Sequence, residues 1–334
     1  MVRAFPRHPD NACTRRHCLR RGGAALASLV GASMLAGCQP PPPLLRVGCI
    51  VFPGYELIVL ARELGLLPPS RVRLIEMRNN TDTLHALATA QLEAACLTLD
   101  ELLTARGNGL DLRVIAVLDS SAGADALMAR PGLGDLRALA GQRIGTEDSA
   151  SGALMLGAAL SAAGLALPEV RKVPMSLDRS VELYRSGAVD AVVTAEPWAS
   201  LLEKQGARRL FDSRSIPDRI VDVLAVRAEA IQGRPEALRA LLRGHFAALH
   251  HLRQQPQDAA RLMAPRLSLR PEEVAAAFQG LILPDAARNR EMLAPEGSLA
   301  RSARQLVRLL LDQGLMATPP SMNQWLDPRF LPED

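Results

Sequence analysis

From Arg46 to Leu67 the chain reads R-V-G-C-I-V-F-P-G-Y-E-L-I-V-L-A-R-E-L-G-L-L, and its apolar positions change period halfway. Residues 47–52 form a short apolar run rich in β-branched side chains, which suits a strand. Pro53-Gly54 breaks the run, and Leu57, Leu60, Ala61 and Leu64 then recur at helical spacing up to Gly65, a left-handed residue type at a helix end. The pattern predicts strand, sharp turn, helix. It continues downstream, with strands predicted at 72–77, 94–97, 112–118, 126–129, 143–146, 171–173, 188–194 and 221–226. Helices are predicted between them at 81–90, 99–105, 151–163 and 180–186. Beyond residue 228 the chain reads as wholly helical, over 235–253, 256–264, 271–280 and 299–313, several of these opening on proline. This alternation predicts an α/β protein of mostly parallel sheets covered by helices, with a helical C-terminal tail. Ligands in such sheets settle beyond the carboxyl ends of strands, so the turn at 52–56 is a candidate ligand contact. It reads equally as one more connection without ligand duty.

The first 37 residues have the composition of an export signal. Thr14-Arg15-Arg16-His17-Cys18-Leu19-Arg20 is similar to a twin-arginine motif, with Cys18 where phenylalanine is usual; a general secretory signal with added arginines competes with it. The apolar run at 24–36 is shorter than the roughly 20 residues that span a bilayer. It ends in Leu35-Ala36-Gly37-Cys38, which resembles a lipobox with Cys38 as the lipid acceptor. We therefore expect a signal peptide at 1–37, and a lipidated Cys and proline-rich spacer at 38–43. The chain would be anchored at the periplasmic face of the cell envelope. Gln39 after the cysteine favours the outer membrane in a Gram-negative cell; otherwise the anchor lies in the cell membrane.

Removing the signal changes the charge. The whole chain carries a formal +4, but residues 1–37 hold six arginines and one acid, which leaves 33 basic and 34 acidic side chains, net −1. The basic balance belongs to the signal, and no basic stripe with interleaved aromatics points to nucleic acid. Of five cysteines, Cys13 and Cys18 lie in the signal and Cys38 is the lipid acceptor. Cys49 and Cys96 remain, each in a strand-like run. They are either two buried thiols or, if their strands are neighbours, a disulfide.

Several pieces in order carry a resemblance: P-G-Y-E with L-A-R-E-L-G-L-L, then A-L-A-T-A-Q-L-E-A-A-C-L-T-L-D-E, L-D-L-R-V-I-A-V-L-D, L-R-A-L-A-G-Q-R-I-G-T-E, D-S-A-S-G-A, and L-Y-R-S-G-A-V-D-A-V-V-T-A-E-P-W. From residue 46 to about 228 the chain resembles the periplasmic solute-binding proteins of ABC importers for nitrate, taurine, aliphatic sulfonates or thiamine-precursor pyrimidines. The cysteine-rich motif of the related pyrimidine synthases is missing. The resemblance implies a type 2 periplasmic-binding-protein fold, with two α/β lobes closing on a ligand by hinge motion. It places crossings near Arg130 and Asp222, with lobe one at 44–130 and 222–334 and lobe two at 131–221. It also implies a monomer that hands a small molecule to a permease and ATPase.

Candidate ligand contacts are residues just past strand ends. They are Phe52, Tyr55 and Glu56 in the first turn, Thr98 and Asp100 after the Cys96 strand, and Asp119, Ser121 and Asp125 after the next. Glu147, Ser149 and Ser151 follow in lobe two, with Thr194, Glu196 and Trp198 near its last parallel strand. Each has a structural alternative: Thr98 with Glu101 fits a capping box, Ser149 or Ser151 an N-cap, and Glu196 a helix start. The predicted rim carries acids and no basic residue, which favours a cationic or amine-bearing ligand over a sulfonate, nitrate or taurine.

Motifs of nucleophilic, nucleotide-binding or zinc-protease chemistry are absent from the sequence, and no enzyme activity, cofactor or metal is expected. His245, His250 and His251 lack ligand spacing. Two functions fit: a tethered solute receptor of an ABC importer, or a ligand-sensing lipoprotein of the same fold that signals through a membrane partner.

Overall fold

A computed structural model describes residues 43–312 and 314–333. The export signal, the acceptor Cys38 and the spacer up to residue 42 lie outside the described residues. In chain order the elements are β1 (Leu45–Cys49), α1 (Glu56–Glu63), β2 (Val72–Glu76), α2 (Asn80–Ala88), β3 (Ala94–Thr98), α3 (Leu99–Gly107), β4 (Leu112–Ser121) and β5 (Asp125–Ala129). Next come β6 (Arg143–Thr146), α4 (Ala150–Ala163), β7 (Arg171–Pro174), α5 (Ser180–Arg185), β8 (Ala191–Ala195), α6 (Trp198–Glu203), β9 (Arg208–Asp212) and β10 (Val221–Arg227). The remainder is α7 (Ala228–Gly233), α8 (Pro235–Gln254), α9 (Pro256–Leu267), α10 (Pro271–Ala277), β11 (Leu281–Ile282), α11 (Ala286–Met292) and α12 (Ser298–Asp312).

Every predicted strand forms, shifted by a few residues at its ends. β9 and β11 were not predicted. β9 opens on Arg208-Arg209 and lies at a sheet edge, where charged side chains reach water and hide the strand's apolar pattern. β11 is two residues long and interrupts a tail expected to be wholly helical.

The strands build two sheets, in the orders β11-β4-β10-β3-β1-β2 and β7-β6-β8-β5-β9. Both are mixed rather than mostly parallel. β1 pairs in parallel with β2 and β3, and β6 with β7 and β8. β10 and β5 are antiparallel to both of their neighbours. The reason lies in the connections. A parallel partner needs a long crossover, usually a helix, whereas β5 and β10 are reached through segments passing directly between the sheets.

Those passages fix the lobes. The chain leaves the first sheet after Ser121 and joins the second at Asp125, then returns between Asp212 and Val221. Residues 125–129 pair with β8 and β9, so the first crossing precedes Arg130, and Asp222 already lies inside β10. Gly280 secures the first crossing. At φ +84°, a Cβ there would stand 2.6 Å from the Ala124 nitrogen and 2.7 Å from the Gly123 carbonyl carbon. The outer edge of β4 is sealed by Asn289, whose side chain accepts from the Val117 N–H at 2.7 Å and donates to its carbonyl at 3.1 Å.

Candidate functional site

β1 delivers the chain into the turn Pro53–Tyr55, and α1 carries it away with Leu57, Ile58 and Leu60 in the core. A cavity of about 820 Å³ opens between the lobes at the end of β1, lined there by Ile50 and Val51 and not by the turn itself. The first lobe contributes Ile50, Met77 and Arg266 to its wall, and the second contributes Glu147, Leu177 and Trp198.

A row of buried acids lies where the chain crosses between the sheets, apart from the cavity wall. Tyr55, 1% exposed, donates its hydroxyl to Asp222 at 3.1 Å. Asp222 faces Asp119 across the antiparallel pair of β10 and β4. Asp119 is fully buried, and the Asp222 carboxyl is the group its own carboxyl shares a proton with. The room for this carboxylate comes from Gly54: a Cβ at that position would stand 1.8 Å from Asp119 Oδ2. Asp125, the first residue of β5, is half-buried with its Oδ2 enclosed and unpartnered. Burial, with Asp125 nearby, pushes the Asp119 carboxyl up to about 8. Burial and the Asp119 charge hold Asp222 well above the ordinary range. Burial takes Asp125 to about 6, and burial with the Asp100 charge takes Glu101 to about 8. In the ligand-free protein Asp119, Asp222 and Glu101 hold protons near neutral pH instead of accumulating charge, while Asp125 is largely ionised.

The lobes meet at this cluster. Ser151, in the first turn of α4, donates across to Asp100 at 3.2–3.3 Å, with Thr98 Oγ1 at 3.2 Å. Ser121 shares a 2.7 Å hydroxyl contact with Ser213 of the return crossing and accepts from the Asp125 N–H at 3.1 Å.

Several other predicted contacts serve local structure. Phe52 packs edge-on against Tyr55, with ring centroids 5.2 Å apart. Thr98 and Glu101 form a capping box, with Glu101 also held by Asn80 at 2.8 Å. Ser149 caps α4 through the Gly152 N–H at 3.1 Å. Thr194 donates to Ser180 at 3.1 Å inside the second lobe. Glu147 and Trp198 face the cavity, and burial pushes Glu147 up.

Glu56 and Glu196 differ from expectation, because neither is a free acid. Glu56 is completely buried against Arg266, whose Nε also reaches Glu76 at 3.1 Å. Burial takes Glu56 to about 7 in spite of that arginine. Glu196 accepts from the Ser200 N–H at 3.0 Å and from Arg209 at 3.2 Å. An arginine answers each carboxylate, Arg266 from far along the chain and Arg209 from the neighbouring strand β9, so the expectation of a rim without basic residues is corrected. Asp222, Arg266 and Arg209 were not among the sequence candidates. For Asp222 a signal existed: it is the one charge inside the apolar run Val221 to Val226.

This is the two-lobed type 2 periplasmic-binding-protein architecture, with a cleft where the lobes meet. The chain belongs to the NMT1-like family, whose model matches residues 38–268. Among solved structures it is similar to the alkanesulfonate-binding protein SsuA from Xanthomonas axonopodis pv. citri bound to MOPS, at 18% identity and TM-score 0.71, covering 87% of this chain and 99% of that one. It is similar to the ligand-binding component of an ABC-type import system from Staphylococcus aureus with zinc bound, at 15% identity and TM-score 0.71, over 86% and 97%. The desulfurization enzyme DSZB shares the fold at 21% identity and TM-score 0.61, over 86% and 97%. No curated protein sequence matches the chain. Among the described residues no group of three metal-ligating side chains comes together, and no helix is long and apolar enough to cross a membrane.

Proposed function

We propose that the chain is the solute receptor of an ABC importer, tethered at the periplasmic face through a lipid on Cys38, and that its ligand is small and carries an amine or other cation. The observation that carries this reading is the charge around the interlobe cavity. Its wall includes Glu76, Asp82, Glu147 and Asp178 against only Arg78 and Arg266. Both arginines are already occupied, Arg78 by Asp82 at 3.3 Å and Arg266 by Glu56 and Glu76. A sulfonate or nitrate would have to break one of these pairs, which also occupy Glu76 and Asp82, whereas a cation meets Glu147 and Asp178, for which the described residues supply no ion pair. The binding reading also suits the cysteines: burial pushes the Cys49 thiol up to about 11 and holds Cys96 well above the ordinary thiol range, so neither supplies a thiolate nucleophile at neutral pH.

The test is native mass spectrometry of the mature protein for a co-purifying solute, followed by calorimetry with amines, neutral pyrimidines, taurine and nitrate. Small-angle scattering on the complex then reads closure. Tight binding of taurine or nitrate would overturn the cationic part of the reading. A saturating ligand that leaves scattering and melting temperature unchanged would overturn the receptor itself.

A further inference from the structure

An ion pair on the surface joins the two lobes. Lys204 directly follows α6 in the second lobe and donates its ammonium to Glu273, in the first turn of α10 in the first lobe. The neighbouring stretches of chain wall the cavity: Trp198 and Leu201 come from α6, Leu267 and Ser268 from the end of α9. The pair thus bridges the lobes beside the cavity, where α6 faces the turn from α9 into α10.

Its two members differ in what they keep when the lobes part. Glu273 has a second partner inside its own lobe. Its Oε2 accepts the Arg270 N–H at 2.9 Å, and its Oε1 accepts from Arg270 Nη2 at 3.1 Å. The Arg270 side chain, followed by Lys204, holds this carboxyl down at about 2, so it is ionised across the neutral range. The Lys204 side chain is 52% exposed and forms no other ion pair among the described residues. On separation, water takes the ammonium and Arg270 keeps the carboxylate, so neither charge is stranded. Glu56–Arg266 is the contrasting case, a buried pair within one lobe that has no such release.

We propose that Lys204 and Glu273 form a reversible latch between the lobes, a salt-sensitive contact that favours the lobes-together form and so sets how readily the cavity opens. Its strength follows from its exposure. A pair of this kind shifts an equilibrium by about two- to fivefold. That is enough to hold the cavity shut more of the time, and far too little to lock it. The latch acts on the lobes and not on the solute, so it does not depend on which ligand the cavity takes.

The experiment measures the distance between the lobes without added solute, in the mature chain carrying Cys38→Ala. Spin labels are placed through Leu66→Cys and Leu167→Cys, exposed positions just past the C-terminal ends of α1 in the first lobe and α4 in the second. Cys49 and Cys96 are buried and stay unlabelled. Pulsed dipolar spectroscopy then reads the populations of near and far forms. Lys204→Met should lower the ratio of lobes-together to lobes-apart by about two- to fivefold. Lys204→Glu should lower it further by setting like charges together, and Lys204→Arg should leave it near the native value. In about 1 M salt the native chain and Lys204→Met should converge. Position 204 is exposed, so all three variants should melt near the native temperature. Distributions unchanged in both Lys204→Met and Lys204→Glu, a Lys204→Arg chain that behaves like Lys204→Met, or a difference that persists in high salt would overturn the latch. A verified solute that fails to bring the lobes together would overturn the receptor reading and leave the latch standing.

Discussion

The buried pair Glu56–Arg266 makes an asymmetric prediction. Replacing either member by methionine keeps an apolar chain of similar length in place and removes one charge. Breaking a buried ion pair usually costs about 3–5 kcal/mol, because a charge is left behind without its partner. Here one partner can discharge itself and the other cannot. Glu56 sits at about 7 even beside Arg266, so at about pH 7.5 the native protein already carries roughly 3 kcal/mol of the cost of burying this group. Holding Glu56 fully protonated at that pH costs about 4 kcal/mol, so losing the arginine adds only about 1 kcal/mol. Near about pH 5.5 the carboxyl is protonated in both proteins, and Arg266→Met should be close to neutral. Glu56→Met is different. It strands a guanidinium that cannot lose its proton, 12% exposed, with Glu76 as its remaining partner, and should cost on the order of 3 kcal/mol. Its cost should not vanish at the lower pH. The double methionine variant should lie within about 1 kcal/mol of the native protein. Urea unfolding of the four proteins at the two pH values decides the matter. An Arg266→Met cost that equals or exceeds that of Glu56→Met near neutral pH, or that fails to shrink on acidification, would refute the reasoning.

Other consequences can be checked separately. Asp119, Glu101, Glu56 and Asp125 are raised to about 8, 8, 7 and 6, so the folded state binds more protons than the unfolded one across that window, and ligand-free stability should rise as pH falls from 8 toward 6. Below about pH 4 the trend should reverse as carboxylates held low by arginines, such as Asp190 and Asp212, lose their charge; melting temperatures across this range test both limbs. Gly54→Ala should destabilise the chain by about 2–4 kcal/mol by denaturant unfolding, since the new methyl meets Asp119 at 1.8 Å, and Asp119→Ala in the same chain should recover part of the loss. Cys38→Ala should abolish the acyl mass increment and release the protein from membranes on fractionation; firm attachment of the unmodified variant would count against lipidation.

The sequence disclosed the lobes' strand and helix content because most elements bury one regular face. Val221–Arg227 and Ala94–Thr98 are apolar through almost their whole length and could hardly be read otherwise. Sheet direction was less legible. Nothing in the apolar run of β10 says that it enters between β3 and β4 from a crossing, and so the mixed pairing was missed. The same limit governed the site. Position past a predicted strand end singled out Tyr55, Asp119 and Asp125, but Asp119 lies inside β4 and Asp125 opens β5, and the state of Glu56 depends on Arg266 in α9, far along the chain. Acids can be counted from sequence, but the arginines that neutralise them are assigned only by folding.

The place of β10 also bears on how the protein is made. β3 and β4 are consecutive strands along the chain yet do not pair with each other, because β10 fills the gap between them. The second sheet is built from 125–212 alone and can close as soon as Asp212 is synthesised. The first sheet then still consists of β2-β1-β3 with an open edge, and Ala94–Thr98, wholly buried in the finished protein, lines that edge. A nascent chain paused between the two events presents an apolar strand ready to pair with any other. A chain cut ahead of Val221 keeps a finished second sheet and has lost the middle of the first.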